Sequence, residues 1–177
     1  PPRLDSPADF LEALQVQLDN GARLIQLRLF DLPQAEFHAV GTEVYRRAQA
    51  HGARMLLNGA PDDVERIGAD GIHLSSRQLS GLSGGLPGHW LVAGSCHSLA
   101  ELNHAESVGC DFAVLSPVLP TRSHPDAEPL GWQRFASWVD EVNLPVFALG
   151  GMSPAERSDA WRSGGQGVAG IRGLWQA

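Results

Sequence analysis

Apolar, mostly branched residues cluster in short runs at 24–30, 54–58, 71–74, 91–96, 112–118, 145–149 and 168–171. Between these runs lie longer stretches whose apolar positions return every three or four residues. Short apolar runs alternating with helical periodicity mark strands of a parallel sheet joined by helices. The pattern predicts seven strands. Asp5 or Ser6 can cap a helix that carries Phe10, Leu11, Leu14 and Leu18 on one face and stops at Gly21. The helical stretches 37–50, 61–67, 99–108 and 154–161 are followed in the same way by Gly52, Gly68, Gly109 and Gly164. Each of these glycines offers an inexpensive left-handed turn into the next element.

Repeated β/α crossovers give either a closed barrel or an open doubly wound sheet. The segments N-G-A-R-L-I-Q-L, H-G-A-R-M-L-L-N and I-G-A-D-G-I-H-L repeat one helix-stop and strand-start pattern, as equivalent units around a ring would. No G-x-G-x-x-G follows a first strand, as a dinucleotide-binding open sheet would usually show. The expected fold is therefore α/β, a TIM (β/α)8 barrel. The chain opens on a helix, because Pro1 and Pro2 do not suit a central strand. Little follows Trp175. The expectation is one barrel domain over 1–177 whose first strand lies upstream and whose last helix is truncated, as the C-terminal part of a longer polypeptide.

Composition narrows the functional classes. At 177 residues and 43% hydrophobic content the chain can bury one sizeable core. A formal charge of −7 disfavours a broad nucleic-acid or anionic-membrane surface, since phosphate backbones are held by clustered Lys and Arg. Any phosphate must then be gripped locally. Cys96 and Cys110 form no C-x-x-C pattern, which reads as reduced thiols in a cytoplasmic protein. No apolar stretch approaches the roughly 20 residues that cross a bilayer.

Candidate chemistry gathers at predicted strand ends. Gly150-Gly151 and Ile171-Arg172-Gly173 form the last two such loops, where barrels commonly hold phosphate on backbone amides. These glycines either cradle an anion or simply turn the chain. Arg172 either grips phosphate in a fork or pairs with an acidic neighbour. Gln26 and Arg28 alternate with Ile25 and Leu27 and should both face the barrel interior, where a buried Arg needs an anion or a carboxylate. His97 follows a strand, as an acid or base would, or as a loop histidine bonded to backbone. His124 sits on a long segment flanked by Pro125 and Asp126, as a lid residue or as solvated surface. His73 and Glu128 are weaker candidates. Asn58 and Ser95 either bond a ligand ring or cap loops. Trp132, Trp138 and Trp161 read as helix packing.

Several of these segments, in order, resemble thiamine phosphate synthase and its relative TenI, a thiazole tautomerase. Gln26-Leu27-Arg28 is similar to the family's Q-L-R strand, Asn58 to its N-D turn, and GADGIHLSS to G-A-D-G-V-H-L-G-Q. Ser95-Cys96-His97-Ser98-Leu99 resembles S-x-H-S-L, SPVLPTRSHP resembles G-P-V-F-P-T-x-T-K, and ALGGM resembles A-I-G-G-I. The resemblance implies a domain of thiamin biosynthesis or salvage that binds a small phosphorylated heterocycle, a thiazole phosphate. It implies that Thr121 contacts substrate, or else is a turn residue. The synthase's Mg2+ carboxylates would fall at Gly59 and Gln78, and two further charged positions at Phe30 and His124. Synthase chemistry is therefore not expected, and no cofactor is. Tautomerisation needs only a phosphate grip and one acid or base. The tautomerase histidine, however, falls at Pro117. A second reading is a non-catalytic sensor of phosphate ligands, resembling barrels fused behind a MutT-type Nudix hydrolase. A third is an unrelated sugar-phosphate isomerase on the same scaffold. Pairing of two barrels fits each reading, and no nucleic-acid or membrane partner does.

Overall fold

Ser6 accepts the Asp9 amide at 3.2 Å, and Pro7 supplies a first-turn residue with no amide to satisfy. These two residues start helix α1 (Pro7–Asp19), which buries Phe10, Leu14 and Leu18 at four-residue spacing. The computed structural model describes residues 6–29, 32–122 and 126–175. Strand β1 (Leu24–Leu27) leads to α2 (Gln34–Ala50), β2 (Arg54–Leu57), α3 (Pro61–Ile67) and β3 (Gly71–Leu74). Helix α4 (Ser76–Ser80), β4 (Leu91–Cys96), α5 (Leu99–Ser107) and β5 (Phe112–Leu115) follow. The described chain closes with α6 (Gly131–Val139), β6 (Val146–Ala148), a 3-10 turn (Pro154–Glu156), α7 (Arg157–Arg162) and β7 (Gly167–Val168).

Two compact units result. One comprises the described residues up to His73 with Pro87–Leu91. The other comprises Leu74–Leu86 and the described residues from Val92 on. In the first unit β1, β2 and β3 pair in parallel, with Leu27 opposite Leu57 and Leu57 opposite Ile72. In the second, β4 to β7 pair in parallel and in chain order, with Cys96 opposite Leu115, Leu115 opposite Ala148 and Ala148 opposite Val168. Neither unit contains the reversal of strand order that defines a doubly wound sheet. Leu27, Leu57 and Ile72 are all buried, as are all four residues of β5. Full burial of a side chain of this size contributes roughly 1.5–3 kcal/mol.

One device recurs at strand starts in both units. Asp70 Oδ2 accepts the Met55 amide at 2.8 Å, and Asp111 Oδ2 accepts the Val92 amide at 2.7 Å. Each aspartate follows a helix-ending glycine by two positions and ties the start of its own strand to the strand before it. Asp70→Ala and Asp111→Ala should each destabilise the chain by about 1–3 kcal/mol, because each orphans a half-buried amide. Urea midpoints check this, with Asn at either position recovering part of the loss.

Several elements differ from expectation. β5 stops at Leu115 rather than 118, and β6 and β7 are shorter than predicted. Pro117 lacks an amide for the ladder, and Gly150 turns the chain at positive φ. α2 begins at Gln34 rather than 37. α4 was not predicted, although Ser75 and Gln78 form a capping box around its start. Trp161 is 56% exposed and its indole N–H donates to Gln166 O, so it is not buried between layers as expected. Phe30 and His124 lie outside the described residues. Among the described residues no helix is long and apolar enough to cross a membrane.

Candidate functional site

In the second unit the loops after β5 and β6 are laced together by backbone hydrogen bonds. Val118 N–H donates to Leu149 O at 2.8 Å and Leu119 N–H to Gly150 O at 3.1 Å. On its other side, Pro117 O accepts the Leu130 amide and Val118 O the Gly131 amide, each at 2.9 Å. This lacing leaves no room beside Gly150 and Gly151. A Cβ on Gly150 would stand 2.9 Å from Pro117 Cα, and one on Gly151 would stand 2.8 Å from Pro120 O. Both residues also hold φ values, 94° and 70°, that favour glycine. A Cβ on Gly173 would stand 2.2 Å from Met152 O, which seats the loop after β7 on the loop after β6. The Gly150-Gly151 and Ile171-Arg172-Gly173 loops therefore meet.

Among the described residues no backbone carbonyl takes the amides of Gly150, Gly151, Ile171 or Gly173. Ile171 is 44% exposed and Arg172 is exposed. Clustered amides of this kind can receive an anion. The helical turn nearby does not join them. Ser153 N–H and Oγ–H both donate to Glu156 Oε2, at 2.7 and 2.6 Å. Those bonds from Ser153 hold the Glu156 carboxyl below the usual carboxylate range. The expected positive helix end is thus already met by its own carboxylate.

His97 stands at the same strand ends. Its Nδ1 lies 2.8 Å from Ser116 O and 3.3 Å from Ser116 Oγ. A carbonyl only accepts, so Nδ1 carries the proton and a neutral ring keeps its lone pair on Nε2. The His97 amide donates to Glu101 Oε2, and Ser98 Oγ accepts the Glu101 amide at 3.2 Å, which fixes the turn into α5. Ser116 precedes Pro117, and Pro117 packs on Gly150, so the imidazole and the glycine loops share one end of the unit. Ser116 carries no sequence mark of this role, being 19 positions from His97. Ser95, on the same face of β4 as His97, is half-buried, as is Thr121, which follows Pro120. Glu128 is an exposed neighbour of Arg134 at 3.9 Å. The thiols offer no nucleophile, since burial pushes Cys96 up to about 12 and Cys110 to about 11.

The first unit carries the other predicted residues. Gln26 and Arg28 share the face of β1 opposite Leu27, and both are exposed. Asn58 Nδ2 donates to His73 O at 2.8 Å, clamping the ends of β2 and β3. His73 is 3% exposed, and neither of its ring nitrogens has a partner among the described residues.

The residues at the implied Mg2+ positions do not fit that ion. Gly59 has no side chain, and the carboxylate nearest a Cβ built there, Asp63 at 3.7 Å, is bonded through Oδ1 to His38 Nε2 at 2.7 Å. Gln78 Oε1 accepts both the amide and the hydroxyl of Ser75, at 3.0 and 2.7 Å, as the cap of α4. A carboxamide in that role is a poor substitute for a carboxylate toward a hard cation.

The comparisons with known proteins agree in one direction. Residues 1–174 match the model of the thiamine monophosphate synthase family, TMP-TENI. A protein of Aquifex aeolicus provisionally called thiamine-phosphate synthase 2 is 35% identical over 164 residues, covering 92% of this chain and 88% of its own. A Geobacter sulfurreducens protein, likewise provisionally called thiamine-phosphate synthase, is 35% identical over 164 residues, covering 91% and 77%. The solved thiamine phosphate pyrophosphorylase of Pyrococcus furiosus superposes with a TM-score of 0.75 at 23% identity, over 91% of this chain and 78% of that one. The chain belongs to the thiamine monophosphate synthase family.

Proposed function

We propose that this chain is a barrel domain of thiamin biosynthesis that binds a thiazole phosphate and moves a proton on it. The observation that carries the reading is the meeting of the Gly150-Gly151 and Ile171-Arg172-Gly173 loops at the strand end that also holds His97. The loop amides and Arg172 take the phosphate. His97 Nε2 takes a proton from a ring carbon, the C–H electron pair moves into the ring, and the imidazolium returns the proton to another atom of the same ligand. The Ser116 carbonyl holds Nδ1–H throughout and orients the ring toward the substrate. Ser95 and Thr121 border the heterocycle. The step needs no redox partner and no metal, in keeping with Gly59 and Gln78. Parallel strands in chain order are the singly wound arrangement of a (β/α)8 ring, which supports the barrel reading.

Calorimetry with thiazole phosphate, together with proton exchange on the ligand followed by NMR in heavy water, tests the proposal. His97→Ala should slow exchange by roughly 10²–10⁴-fold while affinity changes by less than about threefold. Arg172→Ala should weaken binding about tenfold. Binding with no exchange in the native chain overturns the catalytic reading. It favours the second one, a sensor of phosphate ligands allied to a MutT-type Nudix hydrolase, for which the displaced metal ligands speak.

A further inference from the structure

Gln15 and Asp19 stand one turn apart on α1, so their side chains share a face near the end of that helix. His51 caps the end of α2, and its ring meets both. Gln15 Nε2 lies 3.0 Å from Asp19 Oδ1 and 3.2 Å from His51 Nε2, and the latter two atoms are 3.0 Å apart. His51 Nδ1–H donates to Arg47 O at 2.9 Å, so in the neutral ring Nε2 carries a lone pair. With Asp19 ionised, no placement of protons satisfies all three edges of this triangle. In the neutral case the Gln15 amide donates to both partners, and the Nε2 lone pair faces the carboxylate. In the protonated case Nε2–H donates to Asp19 and faces the Gln15 N–H groups instead. Turning the carboxamide over sets Gln15 Oε1 against the carboxylate. One cation settles the conflict, because three lone pairs can converge on it. Ligand atoms about 2.0–2.1 Å from zinc at tetrahedral angles stand roughly 3.3 Å apart, slightly more than the edges of this triangle.

The surroundings suit a metal ion. A ligating histidine commonly donates its other N–H to a backbone carbonyl, as His51 does to Arg47 O. The ends of two helices meet here, and helix C-termini favour positive charge. The nearby guanidinia are engaged elsewhere: Arg23 donates to Leu18 O and Ala22 O, and Arg47 to Glu43 and Leu11 O. Gln15 and His51 are half-buried and Asp19 is exposed, which leaves a side open for water as a further ligand. We propose that Gln15 Oε1, Asp19 Oδ1 and His51 Nε2 form a site for a divalent transition-metal ion of the zinc type, which staples the end of α1 to the end of α2. The mixed nitrogen and oxygen set selects such an ion over Mg2+, which keeps to oxygen ligands. The site lies at the helix ends that lead into β1 and β2, whereas Gly59 follows the far end of β2.

Thermal unfolding and calorimetry of the full chain without an affinity tag test the site, with zinc chloride and magnesium chloride as the probes. One Zn2+ should bind per chain and raise the melting temperature by about 5–10 °C at a hundredfold excess over its Kd. Mg2+ at the same concentration should shift it by less than about 1 °C. Asp19→Asn keeps an acceptor for Gln15, so without metal it should melt within about 2 °C of the native chain. It should bind Zn2+ at least about tenfold more weakly. Gln15→Glu brings a second carboxylate against Asp19, so it should melt lower without metal yet bind Zn2+ about tenfold tighter. A purely structural hydrogen-bond network would give the loss without the gain. His38→Gln removes the ring bonded to Asp63 and should leave the zinc response unchanged. The proposal is overturned by a native chain that does not respond to zinc or responds equally to magnesium. A response kept in Asp19→Asn, lost in His38→Gln or weakened in Gln15→Glu overturns it as well. Should Asp19→Asn fail to fold, the ring nitrogen resonances of native His51 decide: Nε2 should move on addition of Zn2+, and no movement overturns the assignment.

Discussion

Gly71→Ala should cost the chain at least about 3 kcal/mol, a large part of the stability of a domain this size, and abolish folding if the margin is small. The α-carbon of Gly71 faces the backbone of Leu91. A Cβ built there would stand 1.9 Å from Leu91 O, 2.6 Å from Leu91 N and 2.7 Å from its carbonyl carbon. Backbone cannot swing aside as a flexible side chain can. Relief requires moving Leu91, whose amide donates to Asp70 O at 3.0 Å, so the steric and hydrogen-bond losses arrive together. Backbone propensity is not the cause, for the same change at Gly88 meets nothing within 4 Å and should stay within about 0.5 kcal/mol of native. Urea unfolding of the two variants measures the contrast. Equal midpoints would mean that Gly71 and Leu91 are not in contact.

That glycine also marks where sequence reasoning stops. The run G-A-D-G-I-H-L announces a helix stop and a strand, and β3 occupies Gly71–Leu74 as predicted. Nothing in the run says that one glycine turns the chain and the other accommodates a neighbouring strand, because Leu91 is 20 positions away. The same divide holds at the candidate site. Alternation along Gln26-Leu27-Arg28 was enough to put both polar residues on one face. His97 could be placed at a strand end, but its tautomer depends on Ser116, which only the pairing of β4 with β5 brings near. Helix ends were legible wherever a glycine took a left-handed turn, as at Gly68 and Gly109. The 3-10 turn at Ser153 was legible only in position. Its polarity was decided by Glu156 folding back on it, a local bond that competes with any external anion.

Acidification should remove about 3 kcal/mol of stability through His73 alone, between roughly pH 6.5 and pH 4. Burial, with a smaller contribution from the Arg28 charge, pushes the His73 imidazole down from 6.5 to about 4. The unfolded chain, with the ordinary value, binds a proton first as pH falls. Below about 6.5 the unfolded state therefore gains relative to the folded one, and the loss is complete once the folded ring also protonates near 4. Above 6.5 the ring is neutral in both states and contributes no slope. Carboxylates act in a lower window: Glu43, held near 2 chiefly by its bond to Arg46, contributes its slope below about 4.5. The two contributions thus separate along the pH axis. Urea unfolding at pH 7, 5.5 and 4 should show native stability falling progressively below that of His73→Phe, whose slope lacks this component. At pH 7 the variant should equal or exceed the native chain, since it no longer buries two unpartnered nitrogens. Parallel profiles for the two proteins would mean that the ring finds water or a partner in solution.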